Sequence, residues 1–390
     1  MRPVTDLLLI RGGDVVTAEA VLPRADVLVR GRRIAGLGRR LRHPAKDCRT
    51  IDARGCLVAP GLIDLQVNGA AGVMFGECRA ADVPAVPRCL ALHGVTGYCP
   101  TLISLPHART LEGIRTIVAG DDGAGARNLG LHLEGPYLNR ERHGAHRPQY
   151  FKDPDLRELD ACLRAARDRV AVVTLAPERQ GALEAIRFLA RRGVCVSAGH
   201  SMASLAEMRA AVRAGLRLVT HLYNAMRPFN HRAPGILEAA LTLDALAVDL
   251  IADGVHVHPP AIDVFLRCKP PGKAILVSDA VATAGAPGGR AAFDGRALET
   301  RRGAAYIAGT EALSGSSTLL LQGVRNLVDG FDVPLPRAFR TASLNPAAVL
   351  GLARRKGSLA PGKDADVVVL DRRWGVRTVL VEGRIVYASE

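Results

Sequence analysis

The sequence predicts an α/β protein, a (β/α)8 barrel of the TIM type with a small β-sandwich built from both chain ends. Three observations carry this. Through the middle of the chain, short β-branched apolar runs alternate with amphipathic Ala/Leu/Arg stretches, the pattern of parallel βα units. At both ends, short apolar runs are separated by turn pairs instead. The 390 residues suffice for one barrel of about 250 residues plus a small second unit.

Taken in order, apolar runs at 7–10, 26–29, 33–37 and 57–59 are split by Gly12-Gly13 and Arg30-Gly31. The same texture returns at 365–370, 376–381 and 384–387, with polar turns at Asp371 and Glu382-Gly383. Residues 1–59 and 357–390 are therefore expected to form the sandwich, and residues 60–356 the barrel. Barrel strands are expected at 61–67, 97–103, 129–133, 170–175, 194–198, 216–220, 245–251 and 273–277. Helices are expected at 82–92, 111–118, 154–166, 181–191, 204–214 and 261–268. Beyond the eighth strand, residues 313–316 are read as opening a helical pattern that runs to 328, and a last helix covers 336–350. A doubly wound open sheet is the alternative. Gly69, Gly72 and Gly76 lack the spacing of a dinucleotide fingerprint that such a sheet would carry.

Composition removes several classes. With 48% hydrophobic residues the chain is not disordered, and no apolar run approaches the roughly 20 residues of a membrane span. After Met1-Arg2-Pro3 and Asp6, only Leu7 to Ile10 are continuously apolar, too short for a signal-peptide core, so a cytoplasmic protein is expected. Eight cysteines lie singly, without zinc-ribbon or redox spacing, and read as reduced, mostly buried thiols. The formal charge of +14 comes from dispersed arginines, and aromatics make up 4% of the chain. That argues for a solvated basic surface with a local site for an anionic substrate, not for a nucleic-acid platform.

A barrel collects its chemistry where the strands end at their C-terminal side. Here those ends read Asp64-Leu65-Gln66-Val67-Asn68, His132-Leu133-Glu134, Gly199-His200, Thr220-His221, Asp253-Gly254-Val255-His256 and Ser278-Asp279. Two imidazoles and a carboxylate make the three-ligand, open-position set of a catalytic divalent ion, so Glu134, His200 and His221 are the expected ligands. An open position holds water whose pKa the metal lowers to about 7. Asp279 is then placed to take a proton from it and return one to a leaving amine. His143 and His146 lie in a loop rich in charge that reads as solvated. Arg232, in Pro228-Phe229-Asn230-His231-Arg232, reads either as a surface residue or as a fork for phosphate. His93, His107 and His258 suggest no role.

These residues fall within motifs that resemble the amidohydrolase superfamily and, within it, the N-acetylglucosamine-6-phosphate deacetylases. The resemblance is colinear over nearly the whole chain. It runs through Pro60-Gly61-Leu62-Ile63-Asp64, His132-Leu133-Glu134-Gly135-Pro136-Tyr137-Leu138-Asn139, Gly144-Ala145-His146 and Ser197-Ala198-Gly199-His200-Ser201. It continues through His221-Leu222-Tyr223-Asn224-Ala225-Met226, Ala252-Asp253-Gly254-Val255-His256, Ser278-Asp279-Ala280, Leu313-Ser314-Gly315-Ser316 and Pro361-Gly362-Lys363-Asp364-Ala365-Asp366. The resemblance implies hydrolysis of the acetamide of N-acetyl-D-glucosamine 6-phosphate to glucosamine 6-phosphate and acetate. It implies that Glu134, His200 and His221 hold the metal, that Asp279 is base and acid, and that His146 polarises the acetamide carbonyl. His256 would contact the sugar, and Asn224, the Ala225 backbone and Arg232 the phosphate, with Gly135 against the sugar and Leu313 as an apolar wall near the acetyl group. Arg232 would come from a neighbouring subunit, which implies a homodimer.

Gln66-Val67-Asn68 stands where many superfamily members have a His-X-His pair holding a second metal, so one metal per subunit is expected. Zn2+, Fe2+, Co2+ and Mn2+ all suit two His and a Glu, with Zn2+ first. Met202 and Ala282-Thr283-Ala284-Gly285 also depart from the family pattern, and both changes bear on the sugar pocket. N-acetylgalactosamine 6-phosphate is the rival substrate. A non-catalytic binding module on the same fold is the rival of a different class.

Overall fold

In the computed structural model, residues 7–41 and 48–389 are described; residues 1–6, part of the leader reading, lie outside them. The chain opens with β1 (Leu7–Val16), β2 (Val21–Arg30), β3 (Arg33–Gly38), β4 (Arg49–Asp52) and β5 (Leu57–Pro60). β1 pairs antiparallel with β2 along its length, and its other edge takes β4 and then β5 in parallel.

From β5 the chain enters the barrel. β6 (Leu62–Val67) leads to a two-residue ladder, β7 (Gly69–Ala70) with β8 (Val73–Met74), then α1 (Ala85–Leu92) and β9 (Val95–Leu102). α2 (His107–Gly120), β10 (Arg127–Asn128), β11 (Leu131–Glu134), α3 (Leu156–Ala165) and β12 (Val170–Leu175) follow. Then come α4 (Ala182–Arg191), β13 (Cys195–Ala198), α5 (Leu205–Ala214), β14 (Leu218–Val219) and α6 (Ile236–Thr242), and after them β15 (Ala247–Ile251), α7 (Pro259–Cys268) and β16 (Ala274–Val277). Each outer helix buries one stripe. In α4 that stripe is Ala182, Ala185, Ile186 and Leu189, and α5 starts at a capping box between Ser204 and Glu207.

The barrel strands are parallel in the order β6-β9-β11-β12-β13-β14-β15-β16. A carboxylate closes the ring. The backbone N–H and hydroxyl of Ser278 donate to Asp64, and Asn68 N–H donates to Ala280 O at 2.8 Å. Burial pushes the Asp64 carboxyl up to about 7 although Ser278 stabilises its charge. Ile63, Leu65, Val172, Leu218, Ile275 and Val277 fill the interior, so the barrel is solid and its polar residues are left at the mouth.

The stretch after β16 differs from the sequence reading. Four antiparallel strands, β17 (Arg290–Phe293), β18 (Arg296–Arg301), β19 (Ala304–Ile307) and β20 (Leu313–Ser316), form a separate sheet. Residues 313–316 are thus a strand, and the helix begins later as α8 (Leu320–Phe331). The single helix expected over 336–350 is two, α9 (Leu335–Thr341) and α10 (Leu344–Val349), with Ser343 outside helical geometry between them. α6 had not been foreseen.

The last strands, β21 (Val367–Leu370), β22 (Val376–Val381) and β23 (Arg384–Ala388), return to the first sheet, β21 lying antiparallel to β5 with Val368 opposite Ala59. Hydrogen bonds from Ile34 N to Lys363 O and from Ala365 N to Arg32 O bring the far side of this sheet back on itself. Val27, Val29, Ile34, Val58, Val367 and Val369 make its own core, the sandwich formed by both ends of the chain. All eight cysteines are free. Cys89, Cys99, Cys162 and Cys195 are buried, whereas Cys268 is exposed. Among the described residues no helix is long and apolar enough to cross a membrane.

Candidate active site

Glu134 ends β11, and His200 and His221 stand just beyond β13 and β14, so three parallel strands aim their final polar side chains at one point. All three are buried, and one ligand atom from each lies within 4.8 Å of the others. His200 Nε2 and His221 Nε2 are 3.2 and 2.9 Å from Glu134 Oε1 and 3.1 Å from each other. Ligands of a tetrahedral ion bound at about 2.0–2.1 Å stand roughly 3.3 Å apart, so the cluster matches that spacing.

The ring nitrogens agree. His200 Nδ1 is 2.8 Å from the Arg142 carbonyl, which only accepts, so Nδ1 carries the proton and Nε2 offers a lone pair. The electrostatics also call for a cation. Burial would raise the Glu134 carboxyl, yet contacts from His146, His200 and His221 hold it well below the ordinary value. Burial lowers His200 to about 4, whereas His221, against the same burial, is pushed up to about 9 by Glu134. The donor set therefore fits a divalent metal ion.

Asp279 follows β16 and, together with this cluster, lines a cavity of about 290 Å³. Burial and the Glu134 charge push its carboxyl up to about 6, while His221, His256 and a hydrogen bond from Asn68 pull the other way. His146, placed by the sequence in a solvated loop, is buried. His146 Nδ1 faces the Ser104 backbone N–H at 3.3 Å and the Ser104 hydroxyl at 2.9 Å, and its Nε2 stands 3.5 Å from Glu134 Oε2, so the tautomer with the proton on Nε2 suits both ends of the ring. His256 Nδ1 lies 2.7 Å from Asp253 Oδ2, whose other oxygen accepts the backbone N–H groups of Val255 and His256. The imidazole is thereby oriented, and its Nε2 has no hydrogen-bond partner among the described residues.

Asn224, Ala225 and Leu313 also line the cavity. Gly135 and Arg232 do not. Gly135 is buried with φ +84°, and a Cβ there would stand 2.2 Å from Ser104 Oγ, whereas Arg232 is exposed. Sequence reasoning passed over the supports: Ser104 behind His146, the Arg142 carbonyl behind His200, and Ser316, whose hydroxyl donates to Asp253 at 3.0 Å. Of these only Ser316 lies in a motif the sequence singled out.

Residues 57–386 match the model of the amidohydrolase family. The chain is 39% identical to N-acetylglucosamine-6-phosphate deacetylase of Bos taurus, with 99% of this chain and 95% of that one covered. It is 37% identical to N-acetylgalactosamine-6-phosphate deacetylase of Escherichia coli O157:H7, over 84% of this chain and 87% of that one. Among solved structures, a mutant N-acetyl-D-glucosamine-6-phosphate deacetylase from Mycobacterium smegmatis, in complex with N-acetyl-D-glucosamine-6-phosphate, superposes with a TM-score of 0.91 at 32% identity, over 98% of this chain and 100% of that one. With that extent of likeness, and with a buried Glu-His-His cluster at the mouth of its barrel, the chain belongs to the amidohydrolase family and, within it, to the N-acetylglucosamine-6-phosphate deacetylases.

Proposed function

We propose that this chain hydrolyses the acetamide of N-acetyl-D-glucosamine 6-phosphate to glucosamine 6-phosphate and acetate. The observation that carries the reading is one cavity lined by Glu134, His200 and His221 together with Asp279. A divalent cation held by those three residues supplies Lewis acidity and makes water nucleophilic near neutral pH. Zn2+ stands first, and Fe2+, Co2+ and Mn2+ suit the same ligands. Asp279 takes one proton as the water oxygen bonds to the acetamide carbon, and gives it to the nitrogen as the C–N bond breaks. The His146 Nε2–H donates to the carbonyl oxygen as negative charge grows there.

His256 offers Nε2 to a sugar hydroxyl, and Leu313 walls off the acetyl methyl. Asn224 and the Ala225 backbone, on the tight turn after His221, receive the phosphate together with Arg232 of a neighbouring subunit. The reading is thus of a homodimer, working in the cytoplasm. N-acetylgalactosamine 6-phosphate is the rival substrate, since the galactosamine relative is about as similar as the glucosamine one.

The test is acetate release by the purified, metal-loaded protein from both phosphorylated sugars and from unphosphorylated N-acetylglucosamine. Release from the phosphorylated gluco sugar is expected, falling about 10²–10⁴-fold in Asp279→Asn. The ratio of kcat/KM on the two phosphorylated sugars ranks them. No release from any of the three, with metal content verified, would overturn the reading.

A further inference from the structure

Asn68 stands at the end of β6, 3% exposed, in the cavity wall beside Asp279. Its Nδ2 donates to Asp279 Oδ1 at 2.7 Å, and its backbone N–H is bonded to Ala280, so backbone and side chain both hold the turn that carries the base. An ionised carboxylate only accepts, which fixes the amide: Nδ2 faces Asp279 and Oδ1 faces away. That Oδ1 is buried and has no hydrogen-bond partner among the described residues.

Buried acceptors are rarely left without a donor, because the desolvation is then uncompensated. A secondary acetamide brings one N–H donor into this cavity. Its nitrogen has to lie near Asp279, which protonates it, and so near the side chain that is hydrogen-bonded to Asp279. The neighbouring His146 cannot accept through Nε2, which carries its proton, and the Nε2 atoms of His200 and His221 face Glu134.

We propose that Asn68 is a substrate-binding residue whose Oδ1 accepts the N–H of the scissile acetamide. Resting on the deacetylase reading, this gives Asn68 two tasks with one amide: Nδ2 holds Oδ1 of the base, and Oδ1 holds the N–H. Once the carbonyl carbon is tetrahedral, the nitrogen lone pair is left turned toward the proton on Asp279.

The experiment compares Asn68→Ala and Asn68→Leu with the parent on two substrates, the acetamide and its counterpart with the acetyl group on oxygen at the same carbon, which has no N–H. Loss of the Asp279 contact affects both substrates. Loss of the N–H contact adds a further fall in kcat/KM of about 10-fold to 100-fold on the amide alone, with metal content unchanged. In an Asp279→Ala background, where turnover stops, adding Asn68→Ala is expected to weaken binding of N-acetylglucosamine 6-phosphate about 10-fold and to leave glucose 6-phosphate binding unchanged. Equal falls on both substrates, or equal changes for both ligands, overturn the proposal. If the parent releases no acetate, the deacetylase reading is what fails, and the binding contrast still decides the contact.

Discussion

His200, His221 and Asp279 all leave their strands with left-handed backbone, at φ +48°, +33° and +52°. Side chains rarely adopt that conformation, and it costs roughly 1–3 kcal/mol where it occurs. The strain lies on the two imidazoles of the candidate metal cluster and on the carboxyl proposed as the base. Asp279 adds an electrostatic cost, since burial and Glu134 push its carboxyl up to about 6 from 3.8. Its ionisation is harder in the folded chain than in the unfolded one. It therefore opposes folding above pH 3.8, increasingly up to about 6 and constantly beyond. Metal-free Asp279→Asn is expected to be more stable than the metal-free parent at pH 8 by about 1–3 kcal/mol in urea unfolding, a gap that closes toward pH 4. A gap independent of pH would show that the carboxyl is not strained in this way.

At the scale of elements, strand β20 lies against the turn that carries Asp279: Ser316 N–H donates to Asp279 O at 3.0 Å and Val281 N–H to Ser316 O at 3.1 Å. Gly315 sits between, with φ +87°, and a Cβ there would stand 2.6 Å from Asp279 O and 2.7 Å from Val281 Cγ1. Gly315→Ala is therefore expected to displace the base and lower kcat about 100-fold while metal content stays the same; near-normal kcat would mean that the turn yields freely. The sheet that supplies β20 was not legible in the sequence. Its strands are short, Ala-rich and half exposed, so no apolar run stood out. The usable signals were Asp294-Gly295 between β17 and β18 and Arg302-Gly303 between β18 and β19, two hairpin pairs with positive φ at both residues that were passed over. The barrel strands were legible because burial on both faces makes each a continuous apolar run, as in Val170–Leu175. The strand-end His, Glu and Asp were legible for the same reason, as polar residues that interrupt such runs. Ser104 and Asn68 were not legible as supports, because a support is defined by its partner, here His146 and Asp279, far away in the sequence.

Considered as a whole molecule, the chain presents an exposed Arg232 beside Phe229, which is 63% exposed, on a loop that does not line its own cavity. In a homodimer completed across subunits, Arg232→Ala is expected to raise KM for the phosphorylated sugar about 10-fold to 100-fold and to leave the unphosphorylated sugar nearly unaffected. At phosphorylated-sugar concentrations below the raised KM, mixing Arg232→Ala with Asp279→Asn protomers should give more activity than the two variants sum to separately, since one site of each mixed dimer then holds both residues. An equal loss on both sugars and no such excess would place Arg232 outside the site. The pairing of β5 with β21, Val368 opposite Ala59, reaches across nearly the full chain. A ribosome releasing about 5–20 residues per second delivers the two partners roughly 15–60 s apart. Throughout that interval the nascent chain has an unfinished sheet edge at Val58 and Ala59, open to any passing strand. Synthesis of this protein thus includes a waiting period in which pairing of that edge with another strand competes with completion of the sheet.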